Sequence, residues 1–140
     1  MKKNFLLFSL IFVTLFSLSS CSSISSKGSG SQSQLLTFLE ANSSENFAVI
    51  KFFATWCGTC KRYAPEFAQV EADYAKKKEA VDFYSVDVDD KNYAALVKEL
   101  KIGVIPTTYF ISKDRKTVYN RIGNIKTNKL DALIQDLLIK

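Results

Sequence analysis

The stretch WCGTCK, Trp56 to Lys61, sets Cys57 and Cys60 three positions apart between an apolar run and a helical pattern. A thiol pair at this spacing can hold a metal, staple the chain or exchange electrons. The chain has three cysteines and no histidine, so a tetrahedral zinc site built on this pair lacks its remaining ligands, and no metal is expected. A staple is a poor reason for the pair as well. In the chain-entropy account the stabilisation grows with loop length, and this loop is close to the shortest possible.

Electron exchange fits the position of the pair. Cys57 falls where a buried strand ends and a helix begins, and there the unpaired N–H groups and the helix dipole favour a thiolate. Cys60, one turn further, faces it from a more covered position. Cys57 can attack a substrate disulfide, and Cys60 can then attack the mixed disulfide and release the reduced product.

The elements that must hold this pair are legible as alternating periods. Leu35, Leu36, Phe38 and Leu39 mark a short helix that gives out at Asn42 to Asn46. AVIKFFAT, Ala48 to Thr55, is a compact apolar run expected as a buried strand. Tyr63, Phe67, Val70 and Tyr74 then recur at helical spacing, an amphipathic helix of about four turns ending at the AKKK stretch. AVDFYSVDV, Ala80 to Val88, reads as a second strand, and Tyr93, Leu96, Val97 and Leu100 as a helix. TTYFIS from Thr107 and TVYNRI from Thr117 flank the polar turn KDRK as a hairpin. A last helix carries Leu130, Leu133, Ile134, Leu137 and Leu138, with Thr127 expected as its N-cap. A strand, crossover helix and strand make a right-handed parallel unit, and the hairpin adds antiparallel pairing. The expected product is an α/β fold: a mixed four-stranded sheet with helices on both faces.

With the elements in this order, FFATWCGTCKRYAP resembles the active-site segment of thioredoxins, and IPT at Ile105 to Thr107 resembles their cis-proline loop. The similarity spans the domain and implies a thioredoxin-like fold and a thiol:disulfide oxidoreductase. Both prolines of the chain fall at family positions, Pro65 in the active-site helix and Pro106 before the third strand. The resemblance implies that the backbone of Ile105 pairs with an extended substrate segment and that Pro106 packs beside the disulfide. It also implies that Trp56 and Gly123 flank the peptide-binding surface. No dissociable cofactor is implied, because the dithiol does the chemistry.

The sequence leaves the family pattern at two places. Six positions before Cys57, where thioredoxins carry a buried aspartate, stands Lys51. Strand alternation puts it on the face of Val49 and Phe53, opposite Ile50 and Phe52. A lysine there accepts the proton of Cys60 only if burial makes it neutral, stabilises a thiolate if charged, and does neither if it snorkels to the surface. Between the cysteines stand Gly58 and Thr59, where thioredoxins have Gly-Pro. Loss of the proline adds a turn N–H, and a somewhat more oxidising couple than thioredoxin's is expected.

The third cysteine belongs to a different signal. MKKN is a cationic start, and FLLFSLIFVTLFSL, Phe5 to Leu18, is an apolar stretch of export-signal length. It ends in Leu18-Ser19-Ser20-Cys21, which resembles the lipobox of bacterial lipoproteins and implies a lipid on Cys21 and cleavage before it. Residues 1–20 are therefore expected as a signal peptide, 21–34 as a lipidated tether and 35–140 as the thioredoxin-like domain. The tether, rich in serine and glycine, would reach on the order of 20 Å. Export places the pair in an oxidising compartment.

The net charge of +5 includes Lys2 and Lys3 of the leader, and no basic stretch interleaved with aromatics suggests a nucleic-acid groove. The chain thus reads as a monomeric oxidoreductase anchored to a bacterial membrane through Cys21, facing the periplasm or cell exterior. It would reduce disulfides of exported proteins with electrons from a membrane thiol reductase. Oxidation or shuffling of disulfides by the same pair, and a tethered peptide-binding module with idle cysteines, stand as alternatives.

Overall fold

The computed structural model describes residues 33–139. FAVIKFF, with no turn former and β-branched or aromatic residues throughout, forms strand β1 (Phe47–Phe53), buried along nearly its whole length. Its alternation sends side chains to two separate cores. Ala48, Ile50 and Phe52 meet Leu35, Phe38 and Leu39 of helix α1 (Gln34–Ala41) and Leu96 of helix α3 (Ala94–Glu99). Phe47 and Val49 meet Tyr63, Phe67, Val70 and Tyr74 of helix α2 (Gly58–Lys77), together with Leu130 and Ile134 of helix α4 (Thr127–Leu138). A strand covered on both faces in this way belongs in the middle of a sheet.

That is its place. The sheet has the order β2-β1-β3-β4, with β2 at Val81–Asp87, β3 at Thr107–Ile111 and β4 at Val118–Ile122. β1 runs parallel to β2 and antiparallel to β3, and β4 returns antiparallel to β3. A short 3-10 turn, Lys91–Tyr93, precedes α3. The observed architecture is the mixed four-stranded sheet with helices on both faces that the periodicity implies.

Three local features differ from the sequence expectation, each for a tertiary or capping reason. β1 stops at Phe53, because the Ala54 carbonyl accepts the N–H of Cys57 at 3.2 Å and closes a turn. α2 runs for 20 residues instead of about four turns, since it starts inside the cysteine motif with Cys57 as its N-cap. Thr127 is not the N-cap of α4 but its first residue, and the cap position, Lys126, makes no side-chain cap bond. The carboxylate of Glu66, on α2, instead accepts the Thr127 N–H at 2.9 Å and its hydroxyl at 2.5 Å. A charged acceptor from a neighbouring helix displaces the local hydroxyl from that task.

Candidate active site

Cys57 and Cys60 form a disulfide with Cα atoms 5.2 Å apart. As N-cap, Cys57 has extended backbone, and its Sγ accepts the N–H of Cys60 at 3.1 Å. One of the orphan donors of the helix start is thus spent on sulfur, and the dipole of a 20-residue helix points its positive end there. Both effects favour negative charge on Cys57 once the bond is reduced. Cys57 is 7% exposed and Cys60 3%, so the first sulfur is the more approachable one.

The disulfide is walled by Ala54, Phe53, Val88 and Ile105. Ile105 comes from the loop before β3, and its carbonyl oxygen lies 4.0 Å from Cys57 Sγ. The Ile105–Pro106 peptide bond is cis. Pro106 is buried, and its carbonyl accepts the N–H of Gly123 at 2.7 Å. Gly123 has φ of 94°, a backbone that a side chain at this position would strain. On the other flank Trp56 is 69% exposed, and its Nε1 donates to the carboxylate of Asp89 at 2.7 Å. Val104 and Ile122 are exposed as well. Trp56, Ile105, Pro106 and Gly123 therefore gather about one sulfur pair, although they lie on three separate segments.

A profile of the thioredoxin family matches residues 31–136. The chain belongs to the thioredoxin family. Thioredoxin H3 of Arabidopsis thaliana is 44% identical over 98 residues, which cover 70% of this chain and 70% of that protein. A protein disulfide-isomerase of Datisca glomerata is 30% identical over 121 residues, 83% of this chain but 24% of that protein. Among solved structures, chloroplastic thioredoxin z superposes with a TM-score of 0.64 at 25% identity, covering 77% of this chain and 92% of that one. This thioredoxin-family chain is a thiol–disulfide oxidoreductase with the Cys57–Cys60 pair at its centre.

The two departures from the family pattern take definite positions in this thioredoxin-family chain. Lys51 is buried on β1, 8% exposed, with Nζ 4.5 Å from the ring centre of Phe67 and 5.3 Å from that of Phe53. Burial lowers its pKa, and the negative charge of Glu71 opposes that. Thr59 and Gly58 form the outer turn between the cysteines, where Thr59 Oγ1 accepts from Arg62 Nη2 at 3.2 Å. Cys21 lies outside the described residues.

Sequence reasoning missed one group at this site and one in the core beside it. Asp89 holds the indole of Trp56, and the acidic run DVDD carried the only hint. Tyr63, a core residue of α2, shares a hydroxyl hydrogen bond of 2.9 Å with Thr108 of β3. Burial pushes the Tyr63 phenol up to about 12, against the pull of Thr108. A tyrosine at helical spacing reads as core from sequence, and its partner comes from another strand.

Proposed function

We propose that this thioredoxin-family protein is exported, tethered to a bacterial membrane through lipid on Cys21, and reduces disulfides of exported proteins. The observation that carries the redox part is the N-cap geometry of Cys57, whose sulfur takes a backbone N–H of the helix start. In the reduced protein Cys57 is the attacking thiolate. It bonds to one sulfur of a substrate disulfide, and the other leaves as a thiolate. Cys60 then loses its proton, attacks Cys57 Sγ and expels the second substrate sulfur. Two electrons and two protons reach the substrate, and the pair is left as the disulfide. A membrane thiol reductase returns it to the dithiol.

Trp56, Ile105, Pro106 and Gly123 form the surface on which a substrate segment lies, and the apolar, open rim supports that role. Gly58, Thr59 and Lys51 tune the couple. The tether reading rests on the cationic start, the apolar stretch and the Leu18-Ser19-Ser20-Cys21 signal.

The experiment is a trap. Cys60→Ser expressed in a bacterium with its full leader should accumulate mixed disulfides with exported proteins that dithiothreitol releases, while Cys57→Ser should accumulate none. Absence of any trapped partner would sink the exchange role. Cys21→Ser should move the protein from the membrane fraction to the soluble exported fraction; unchanged fractionation would remove the lipid anchor. A reduction potential well above thioredoxin's would instead assign the oxidising or shuffling direction to the same two sulfurs.

A further inference from the structure

The helix that begins in the cysteine motif carries no acidic residue in its first turn, and Lys61 and Arg62 follow Cys60 directly. Arg62 folds back toward the cysteines. Its Nη2 donates to Thr59 Oγ1 at 3.2 Å, and its Nη1 lies 4.0 Å from the point a β-carbon on Gly58 would occupy. The guanidinium therefore runs along the outer edge of the turn that joins the two sulfurs. It engages one donor there, whereas a guanidinium has five in a planar fork. No carboxylate among the described residues stands within ion-pair distance of it. The side chain is exposed, so its spare donors are open to solvent beside the turn that carries the two sulfurs.

The opposite flank of Cys57 has the opposite sign. Trp56 is bonded to Asp89, and Asp87 and Asp90 adjoin that carboxylate in the chain. Cys57 is thus bracketed in sequence by a residue tied to a carboxylate and a residue lying beside a cation. Attack by a thiolate on a disulfide next to an acidic residue meets like-charge repulsion. A guanidinium on the turn offsets it, and its fork accepts a carboxylate in bidentate fashion, as an ammonium does not.

We propose that Arg62 is a specificity-determining residue, positioned on the Gly58–Thr59 turn by Thr59, that receives an aspartate or glutamate adjoining the substrate cysteine. The inference rests on the disulfide-exchange reading of Cys57 and names a substrate class for it: polypeptide disulfides flanked by acidic side chains. Arg62 touches neither sulfur and takes no part in the electron transfer.

The test uses the pre-reduced protein and three disulfide peptides that differ only in carrying Glu, Gln or Lys beside the attacked cysteine. The second-order rate of peptide thiol release is read at low and at high salt. The wild type should favour the Glu peptide over the Lys peptide by about fivefold at low salt, a ratio that shrinks as salt screens it. Arg62→Gln should bring the ratio to about one, and Arg62→Glu should reverse it. A merely structural role would slow all three peptides together and leave the ratio unmoved. An unmoved ratio in both variants, or equal rates of the wild type on all three peptides, overturns the role of Arg62 and leaves the exchange chemistry standing. A wild type that reduces none of them overturns both.

Discussion

Lys51 occupies the most informative single position in the fold. A lysine in the middle of a central strand would ordinarily be excluded by the cost of burying its charge. Here its hydrocarbon stem lies in the core and its Nζ rests against the faces of Phe67 and Phe53, which attract a cation. Phe53 in turn packs on the disulfide cluster. Burial lowers the pKa of Lys51, and the charge of Glu71 opposes that. In its charged form Lys51, one ring removed from the pair, favours the thiolate and so stabilises the dithiol, which makes the couple more oxidising. Lys51→Met, which keeps the stem and removes the charge, is expected to lower the reduction potential by on the order of 10–30 mV. A glutathione redox titration measures this, and a shift below about 5 mV would show that Lys51 does not tune the pair. From sequence, alternation already placed Lys51 on the face of Val49, but the rings against which its Nζ rests come from a helix and from its own strand's end.

Helix starts show how elements in this fold borrow their caps. α4 takes the carboxylate of Glu66 from α2, and Lys126 adds an ion pair of 2.9 Å to the same group. At the start of α1, the carboxylate of Glu99 on α3 accepts the N–H groups of Gln34 and Leu35 and the hydroxyl of Ser33. Hydrogen bonds to Thr127 and Lys126 hold Glu66 down to about 2, and Ser33 with the α1 backbone holds Glu99 below its usual range. A carboxylate whose folded pKa is depressed adds stability above its unfolded pKa and loses it as the pH falls through the folded one. For Glu66 that window runs from about 4.5 down to about 2. Glu66→Gln should therefore melt at lower temperature than the wild type at neutral pH, and the gap should close as the pH nears 2. A gap in Tm that stays constant from pH 7 to pH 2 would show that packing, not the carboxylate's charge, is what the substitution removes. Neither cap was legible locally. Thr127 offered a standard capping hydroxyl, and only the packing of α2 against α4 brought a better acceptor within reach.

Taken together, the described residues build a sheet whose two central strands, β1 and β3, are buried on both faces, with the chemistry just beyond the end of β1. The short loop closed by the disulfide suits that role. Loop-closure entropy makes the bond worth about 2 kcal/mol, so the dithiol should fold to the same structure with a melting temperature about 10 °C lower. Calorimetry with and without dithiothreitol checks this, and loss of a cooperative transition on reduction would make the pair a structural staple after all. Sequence determined a good part of this protein: the order of helices and strands, the mixed sheet, and the placing of Cys57 at a strand-to-helix junction. These follow from short-range periodicity, and two motifs anchor them to one family. Tertiary structure decided what distant segments do to one another. It brought Ile105, Pro106 and Gly123 to a sulfur far away in the chain, tied Trp56 to Asp89, and laid Arg62 along the turn. It also gave Lys51 its two rings. Contacts of this kind depend on the register between strands and on how a helix is rotated against the sheet, and a one-dimensional pattern carries neither.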